Sequence, residues 1–262
     1  MSEGSEPFDA SAIRTVTFDA YGTLFQFHDA EFRSAVTEIL TTQSLEHPDH
    51  DEVYKTLYSS FIKAGPWADK LDGEGQPDWE RMASGPMPAW MSTWATWERQ
   101  WQITFAAHDL DGDASRAADF TRDGLTVAPA YPEAHEAVER LAASGYTVSL
   151  LSNADDDFLD GALAQTKMQF ASVQSSEGLQ IYKPNRAIFL AHCKQLGVDP
   201  STVLYVGDSL PTDVRGAQGA GLRTAWIKRT ERDRALPEGT PVPDVEVSKL
   251  TELCDLLKGP SD

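Results

Sequence analysis

The sequence predicts an α/β fold in which a doubly wound, mostly parallel β-sheet carries helices on both faces. Two observations lead to this prediction. Short β-branched runs alternate with helical runs in the second half of the chain, and a long stretch after the first strand contains only helical patterns. With 262 residues, the chain is long enough to bury a core and to carry a smaller second domain.

The first strand is predicted at residues 14–19, RTVTFD, which is rich in β-branched residues and ends at a turn. The following stretch shows no convincing strand. Its helical runs occupy residues 31–40, 53–64 and 87–107. This organisation predicts an inserted α-helical domain at residues 28–126. The sheet domain then comprises residues 1–27 and 127–262.

After residue 127, helices and strands alternate. A helix is predicted to open at Pro132 and to stop at Gly145. Further strands are predicted at 147–151, 170–174, 202–206 and 223–228, with helices at 156–166, 184–196 and 212–220. A charged, proline-rich stretch at 231–243 is predicted to be a loop. In sheets of this type, ligands bind at the carboxyl ends of the strands.

The composition of the chain excludes some classes of binding partner. The chain has 41 acidic and 22 basic residues, a net charge of −19, which repels nucleic acid and anionic lipid surfaces. No apolar run approaches the roughly 20 residues of a spanning helix. We therefore expect neither nucleic acid nor a membrane as partner. The two cysteines, Cys193 and Cys254, form no disulfide framework or metal-type pair, so we expect a cytoplasmic protein.

Polar side chains follow the predicted strands at the edge where ligands bind. They are Asp19, Ser152, Asn153, Lys183, Asp208 and Asp213. A carboxylate nucleophile, a hydroxyl donor, a cation and further acids suit covalent catalysis on a small anionic substrate.

Four motifs carry a family resemblance. They are FDAYGTL at 18–24, LLSN at 150–153, YKP at 182–184 and VGDSLPTD at 206–213. In this order and at these spacings, the chain resembles the haloacid dehalogenase-like (HAD) hydrolase superfamily. The resemblance covers residues 12–27 and 127–250. It implies a Rossmann-like core with a mobile α-helical cap, and hydrolysis through an aspartate nucleophile.

The resemblance also implies roles for individual residues. Asp19 is the expected nucleophile, with Ser152 and Lys183 as further catalytic residues. The expected substrate-binding groups are the backbone amides of Ala20 and Tyr21, together with Asn153. The expected metal ligands are Asp19, Asp208 and Asp213. Three carboxylates around one point repel each other without a cation, and their hard oxygens suit Mg²⁺, so we predict Mg²⁺ as cofactor.

The first and fourth motifs favour different reactions. Family phosphatases carry a second aspartate two residues after the nucleophile as general acid, whereas this chain has Tyr21, as 2-haloacid dehalogenases do. Those dehalogenases work without metal, lack an acid at the position of Asp208, and carry an arginine in the cap, for which Arg33 is the nearest candidate. We weigh the fourth motif more heavily and expect a Mg²⁺-dependent phosphatase for a small organic phosphomonoester.

Two alternatives stand beside the phosphatase. One is a metal-independent (S)-2-haloacid dehalogenase. The other is a catalytically weak protein of the same fold, which binds a ligand or a protein partner through its tryptophan-rich insertion.

Two further patterns have plainer interpretations. Tryptophans 90, 94, 97 and 101 recur at helical spacing, and packing within the insertion or against the sheet domain is the favoured interpretation. A lid over the site and a homodimer face are the alternatives. The acidic run 155–157 is interpreted as a solvated helix start.

Overall fold

The computed structural model describes residues 8–27, 29–229 and 239–257. Six strands form one parallel sheet in the order β3-β2-β1-β4-β5-β6. The strands are β1 (Thr15–Phe18), β2 (Thr147–Ser152), β3 (Val173–Ser175), β4 (Val203–Gly207), β5 (Arg223–Ile227) and β6 (Val245–Val247). The predicted α/β fold with a doubly wound parallel sheet is confirmed.

Helices separate the strands along the chain. Between β1 and β2 lie α1 (Asp29–Thr42), α2 (His50–Ala64), α3 (Trp79–Ser84), α4 (Thr93–Ala107), α5 (Ala114–Thr126) and α6 (Ala134–Ala143). The later helices are α7 (Asp156–Ala164), α8 (Ser176–Leu179), α9 (Arg186–Leu196), α10 (Arg215–Gly219) and α11 (Thr251–Leu256). Residues 29–126, which contain α1 to α5, are called the helical segment below.

The central strands are buried because helices cover both faces of the sheet. On one face, β1 and β2 pack against α6, α7 and α11 through residues such as Val138, Phe158 and Leu253. On the other face, β4 packs against α9 and α10 through Phe189 and Ala217.

Strand register brings the ends of three strands to one edge. Phe18, the last residue of β1, lies opposite Leu150 of β2 and Val206 of β4. The chain runs from β1 to the β2 side of the sheet and later to the β4 side, so β1 marks the point where the strand order reverses. Residues that follow β1, β2 and β4 therefore meet in one crevice.

The helical segment has a core of its own, in which Trp101 and Phe105 of α4 pack against Val36, Ile39 and Leu57 of α1 and α2. Trp97 belongs instead to the core in which β1 and β2 pack against α6, α7 and α11. The packing interpretation of the tryptophan pattern is therefore confirmed for Trp97 and Trp101. No helix among the described residues is both long and apolar enough to cross a membrane.

Some element boundaries differ from the sequence prediction. α4 begins at Thr93, well after residue 87, because Pro88 disfavours helix before it and Ser92 caps the helix by accepting from the Ala95 N–H at 3.1 Å. The sequence did not predict α3, α5, α8, α11 and β6. Of the predicted loop 231–243, residues 231–238 lie outside the described residues.

Candidate active site

Asp19 follows β1 directly and lies at the carboxyl edge of the sheet. Its backbone N–H donates to the Val206 carbonyl of β4 at 2.9 Å, which extends the parallel pairing by one residue. Its carboxylate is buried. The next turn closes on itself, since the N–H groups of Leu24 and Phe25 donate to the Ala20 carbonyl at 2.7 and 2.9 Å. Asp19 is thereby fixed where the strand order reverses.

Gly22 allows this turn to approach the fourth motif. Its φ of +83° lies in the left-handed region, and a Cβ there would come within 2.6 Å of Oδ2 of Asp208. The Thr23 hydroxyl donates a long hydrogen bond to Oδ1 of Asp208, at 3.5 Å. The first and fourth motifs are therefore in direct contact, and a side chain at residue 22 would separate them.

Lys183 occupies the loop between α8 and α9, and its ammonium is surrounded by oxygen atoms. Nζ lies 2.8 Å from Oδ1 of Asp19 and 2.7 Å from Oδ1 of Asp213. It also donates to the phenol oxygen of Tyr205 at 3.0 Å. The structure thus brings together three of the four charged residues predicted from sequence, and it adds Tyr205, for which the sequence carried no motif signal.

Asn153 fixes the backbone of Lys183. Its Oδ1 accepts from the Lys183 N–H at 2.8 Å, and its Nδ2 donates to the Lys183 carbonyl at 3.0 Å. Both ends of the side-chain amide are used in this way. The observed role of Asn153 is to hold the loop at residues 180–185, called the lysine loop below. A contact of Asn153 with substrate stays a prediction.

Three predicted donors have no hydrogen-bond partner in the part of the chain that the structure describes. The hydroxyl of Ser152, at the buried end of β2, has no hydrogen-bond partner within residues 8–27, 29–229 and 239–257. Over the same residues, no backbone carbonyl accepts from the N–H of Ala20 or Tyr21. Donors of this kind at a strand end suit substrate oxygens. Their roles in binding or catalysis stay predictions.

The carboxylates of Asp19, Asp208 and Asp213 form a cluster in which one oxygen from each lies within 4.8 Å of the others. The Ser209 N–H donates to Oδ2 of Asp213 at 3.0 Å and fixes that side chain. Gly207 leaves room for it, since a Cβ there would lie 2.4 Å from the carboxylate carbon. Three hard oxygen ligands at these separations fit Mg²⁺, which accepts a few carboxylates and keeps several waters.

Burial and the neighbouring charges change the pKa values of Asp208, Asp213 and Lys183. Burial and the neighbouring charges of Asp213 and Asp19 raise the pKa of Asp208 well above its usual value. Burial also raises the pKa of Asp213, to about 6, although Lys183 opposes this change. Burial disfavours the charged form of Lys183, but the carboxylates of Asp19 and Asp213 outweigh it and raise its pKa well above the usual value. The ammonium therefore stays charged.

The hydrogen bonds of the Tyr21 hydroxyl argue against a role for this residue in proton transfer. Its hydroxyl donates to the backbone carbonyls of Phe158, at 3.0 Å, and Leu125, at 3.2 Å. Burial, and then the charges of Asp19 and Asp157, raise its pKa above the usual value for a phenol. At the position where the family resemblance implies a general acid for a phosphatase, this chain therefore holds a neutral phenol that links α7 to the end of α5.

The helical segment is bonded to the loops that carry the site. Asp155, which precedes α7, is buried, and its two carboxylate oxygens accept from the first turn of α4: from the N–H of Thr93 at 2.7 Å and of Trp94 at 2.9 Å. The prediction that Asp155 belongs to a solvated helix start was wrong, because this carboxylate caps a helix from another part of the chain.

The lysine loop contacts the helical segment on both sides of Lys183. The Tyr182 hydroxyl accepts from the Met91 N–H at 2.9 Å, and the Tyr182 ring stacks on Trp90, with ring centres 4.8 Å apart. Nδ2 of Asn185 donates to the carbonyls of Met82 and Gly85, at 3.1 and 3.0 Å. Movement of the helical segment would therefore be transmitted to the loop that holds Lys183.

Arg33, the nearest sequence candidate for an arginine that binds substrate, is engaged elsewhere. Its guanidinium forms an ion pair with Asp51 and lies 4.1 Å from the ring centre of Tyr54. Both contacts lie within the helical segment. The structure thus gives Arg33 no contact with the carboxylate cluster.

Comparison with known proteins gives relatives of two kinds. The chain is 29% identical over 255 residues to (S)-2-haloacid dehalogenase 4A of Burkholderia cepacia, covering 94% of this chain and 95% of the relative. It is also 29% identical to the phosphoserine phosphatase of Thermus thermophilus over 195 residues, 72% of this chain and 76% of that enzyme. Among solved structures, a crystal structure of a dehalogenase superposes with a TM-score of 0.70 at 26% identity, covering 94% of this chain and 97% of the other.

The family model for haloacid dehalogenase-like hydrolases matches residues 13–221, which is most of the chain. This range contains all four motifs and every residue of the carboxylate cluster. The relatives include dehalogenases and phosphatases, and the match at the level of the family is common to both. The chain is a hydrolase that belongs to the haloacid dehalogenase-like family.

Proposed function

We propose that the chain is a dehalogenase that hydrolyses a small 2-halocarboxylic acid through Asp19. The observation that carries the proposal is the placement of Tyr21, whose hydroxyl proton is given to backbone carbonyls. A halide is a weak base and leaves without a proton, whereas an alkoxide leaving group needs a general acid. The similarity to (S)-2-haloacid dehalogenases, which extends over 94% of the chain, supports the same reaction.

The proposed reaction has two steps. Because Lys183 contacts Oδ1 of Asp19, we assign the attack to Oδ2. This oxygen forms a bond to the carbon that bears the halogen, and the halide departs with the electron pair of the broken bond, which leaves an ester on Asp19. Water then adds to the carboxyl carbon of that ester, and the bond from this carbon to Oδ2 breaks. The departing hydroxyl oxygen takes one proton of the water, the other proton is released to solvent, and Asp19 is restored as a carboxylate. Lys183 stabilises the negative charge that Asp19 carries before and after the cycle. The helical segment would act as a cap over this crevice.

The phosphatase expected from the fourth motif is the second candidate. The carboxylate cluster favours it, because Asp19, Asp208 and Asp213 supply a ligand set that fits Mg²⁺. When bound there, the ion would neutralise charge shared by the nucleophile and a phosphate group. This candidate ranks second because residue 21 supplies no acid, and because the phosphatase relatives match over a smaller part of the chain than the dehalogenase relatives.

The test measures halide release from (S)-2-chloropropionate and (S)-2-bromopropionate, and phosphate release from a panel of small phosphomonoesters. Each assay is run with Mg²⁺ and with a chelator. The proposal predicts halide release that survives the chelator and disappears in Asp19→Asn. Phosphate release that requires Mg²⁺, without halide release, would replace the proposal with the second candidate. Mg²⁺ binding without turnover of either panel would favour the third expectation, a weakly catalytic binding protein.

A matched variant separates the two reactions at one residue. Asp208→Asn keeps the shape of the side chain and removes its charge. If the enzyme is a dehalogenase, halide release survives this change within about tenfold, because Asp208 takes no proton and forms no bond in that reaction. If the enzyme is a phosphatase, Mg²⁺-dependent phosphate release falls by 100-fold or more, roughly the loss of one charged group that stabilises a transition state.

A further inference from the structure

We infer that Tyr205 is a positioning residue for Lys183, and that its phenol oxygen holds the ammonium against the nucleophile. This inference rests on the proposed hydrolysis through Asp19, but not on whether the leaving group is a halide or an alkoxide. The family motifs do not include this position, which lies in the middle of β4, three residues before Asp208.

The hydrogen-bond directions at Tyr205 are fixed by its partners. Its hydroxyl donates its one proton to the Leu151 carbonyl in β2, at 2.8 Å. The phenol oxygen is then an acceptor only, and it accepts from Nζ of Lys183 at 3.0 Å. The ring is buried, and it packs edge-to-face on Phe189 of α9, with centres 4.9 Å apart. Tyr205 therefore presents a rigid acceptor between the two strands that flank β1.

This acceptor completes the surroundings of the ammonium. Three oxygens lie within 3.0 Å of Nζ. It forms an ion pair with Oδ1 of Asp19, and it donates hydrogen bonds to Oδ1 of Asp213 and to the phenol oxygen of Tyr205. Two anions alone would leave the flexible lysine chain free to rotate about the line between them. The third contact removes that freedom, and it is made by a neutral group that does not compete with Asp19 for the charge.

A purely structural role is the competing interpretation, because Tyr205 also links β4 to β2. The two roles predict different consequences for Tyr205→Phe. Loss of a structural link lowers the melting temperature without a selective effect on turnover. Loss of a positioning contact lowers kcat at unchanged KM, because the displaced ammonium stabilises the reacting carboxylate less well while substrate contacts remain.

The kinetic experiment compares Tyr205→Phe with Ser149→Ala. Ser149 of β2 is buried, its hydroxyl is hydrogen-bonded to Thr17 and His192, and it does not contact Lys183, so its removal reports the general cost of losing a buried hydroxyl in the same sheet. For whichever substrate wild type hydrolyses, we expect Tyr205→Phe to lower kcat by about 10- to 100-fold with KM within about threefold, and Ser149→Ala to lower kcat by less than about threefold. Equal losses of kcat in both variants, or an unchanged kcat in Tyr205→Phe, would overturn the inference.

A spectroscopic measurement tests the same contact without turnover. Lys70 and Lys183 are the buried lysines among the described residues, so ¹⁵N-lysine labelling of Lys70→Arg leaves the Lys183 ammonium as the slowly exchanging signal from a buried, hydrogen-bonded group. We expect this signal in Lys70→Arg and in the Lys70→Arg/Ser149→Ala double variant. We expect it to shift or broaden when Tyr205→Phe is added to Lys70→Arg. An unchanged signal there would overturn the inference, whereas absence of turnover in wild type would refute only the proposed function.

Discussion

Buried His192 makes the stability of the fold depend on pH. The ring lies between the sheet and α9, where Nδ1 donates to Oε1 of Gln174 at 2.6 Å and Nε2 accepts from the Ser149 hydroxyl at 3.0 Å. Burial lowers the pKa of His192 from 6.5 to about 4. No carboxylate pairs with this ring within the described residues, so the imidazole is held neutral.

The direction of the effect follows from the two pKa values. Above pH 6.5, the ring is neutral in both the folded and the unfolded chain, so the full stability is present. As the pH falls from 6.5 to about 4, the unfolded chain binds a proton that the folded chain does not. The free energy of unfolding therefore falls over this window, by about 2 kcal/mol between pH 7 and pH 5 and by about 3 kcal/mol once the pH is below both values.

The assay is urea denaturation of wild type and His192→Asn at pH 7 and pH 5. Asparagine keeps a neutral donor toward Gln174 and cannot gain a proton. Carboxylates titrate in both proteins and cancel, so wild type should lose about 2 kcal/mol more than His192→Asn on acidification. A control variant, His135→Asn at the surface of α6, should follow wild type. If wild type and His192→Asn lose the same free energy, the ring is charged in the folded protein and the argument from burial fails.

Three further variants test contacts around the site. Asp155→Ala removes the carboxylate that caps α4 and should lower the free energy of unfolding by about 1–2 kcal/mol in urea denaturation, with Asp156→Ala at a more exposed position as control. Gly22→Ala forces a side chain into a left-handed turn and against Asp208. We therefore expect this variant to lose turnover at substrate saturation, and its free energy of unfolding to fall by at least about 1 kcal/mol. Unchanged kinetics would contradict the close approach of residue 22 to Asp208. Tyr21→Phe should cost about 1 kcal/mol of stability and leave halide release within about threefold, whereas a large selective loss of kcat would show that the phenol does transfer a proton.

The sheet and the charged residues were predictable because their signals are local. The central strands β1, β2 and β4 are short runs rich in β-branched and aliphatic residues, and Asp19 and Asp208 follow β1 and β4 directly. Lys183 reaches the crevice from the loop after α8, which strand order does not predict. Once the order of strands is that of a doubly wound sheet, the meeting of Asp19 and Asp208 follows from topology alone. No knowledge of side-chain packing is needed for this step.

Other features depend on contacts between distant parts of the chain, which no local pattern reveals. Asp155 resembles any acidic helix start, and only the position of α4 shows that it caps another helix. Tyr205 sits within an apolar strand, where an aromatic residue is expected to be core, and its hydroxyl gains a role only because Lys183 arrives from a loop 22 residues earlier. Whether the substrate is a haloacid or a phosphate ester depends on the charge of the assembled site, which sequence patterns do not predict.

That charge decides what the site can bind. Asp19, Asp208 and Asp213 contribute three carboxylates, and Lys183 contributes one ammonium, which is shared by two of them. Both candidate substrates are anions, so each must approach a nucleophile whose neighbourhood is already negative, in a protein of net charge −19. A phosphatase resolves the conflict with a divalent cation, whose loss to a chelator would leave the repulsion in place. A dehalogenase must instead resolve it by weakening the charge at Asp208, the acid that Lys183 does not contact. Asp208→Asn removes this charge permanently. A lower KM for the haloacid in this variant would therefore show that the charge of Asp208 weakens substrate binding in the metal-free reaction.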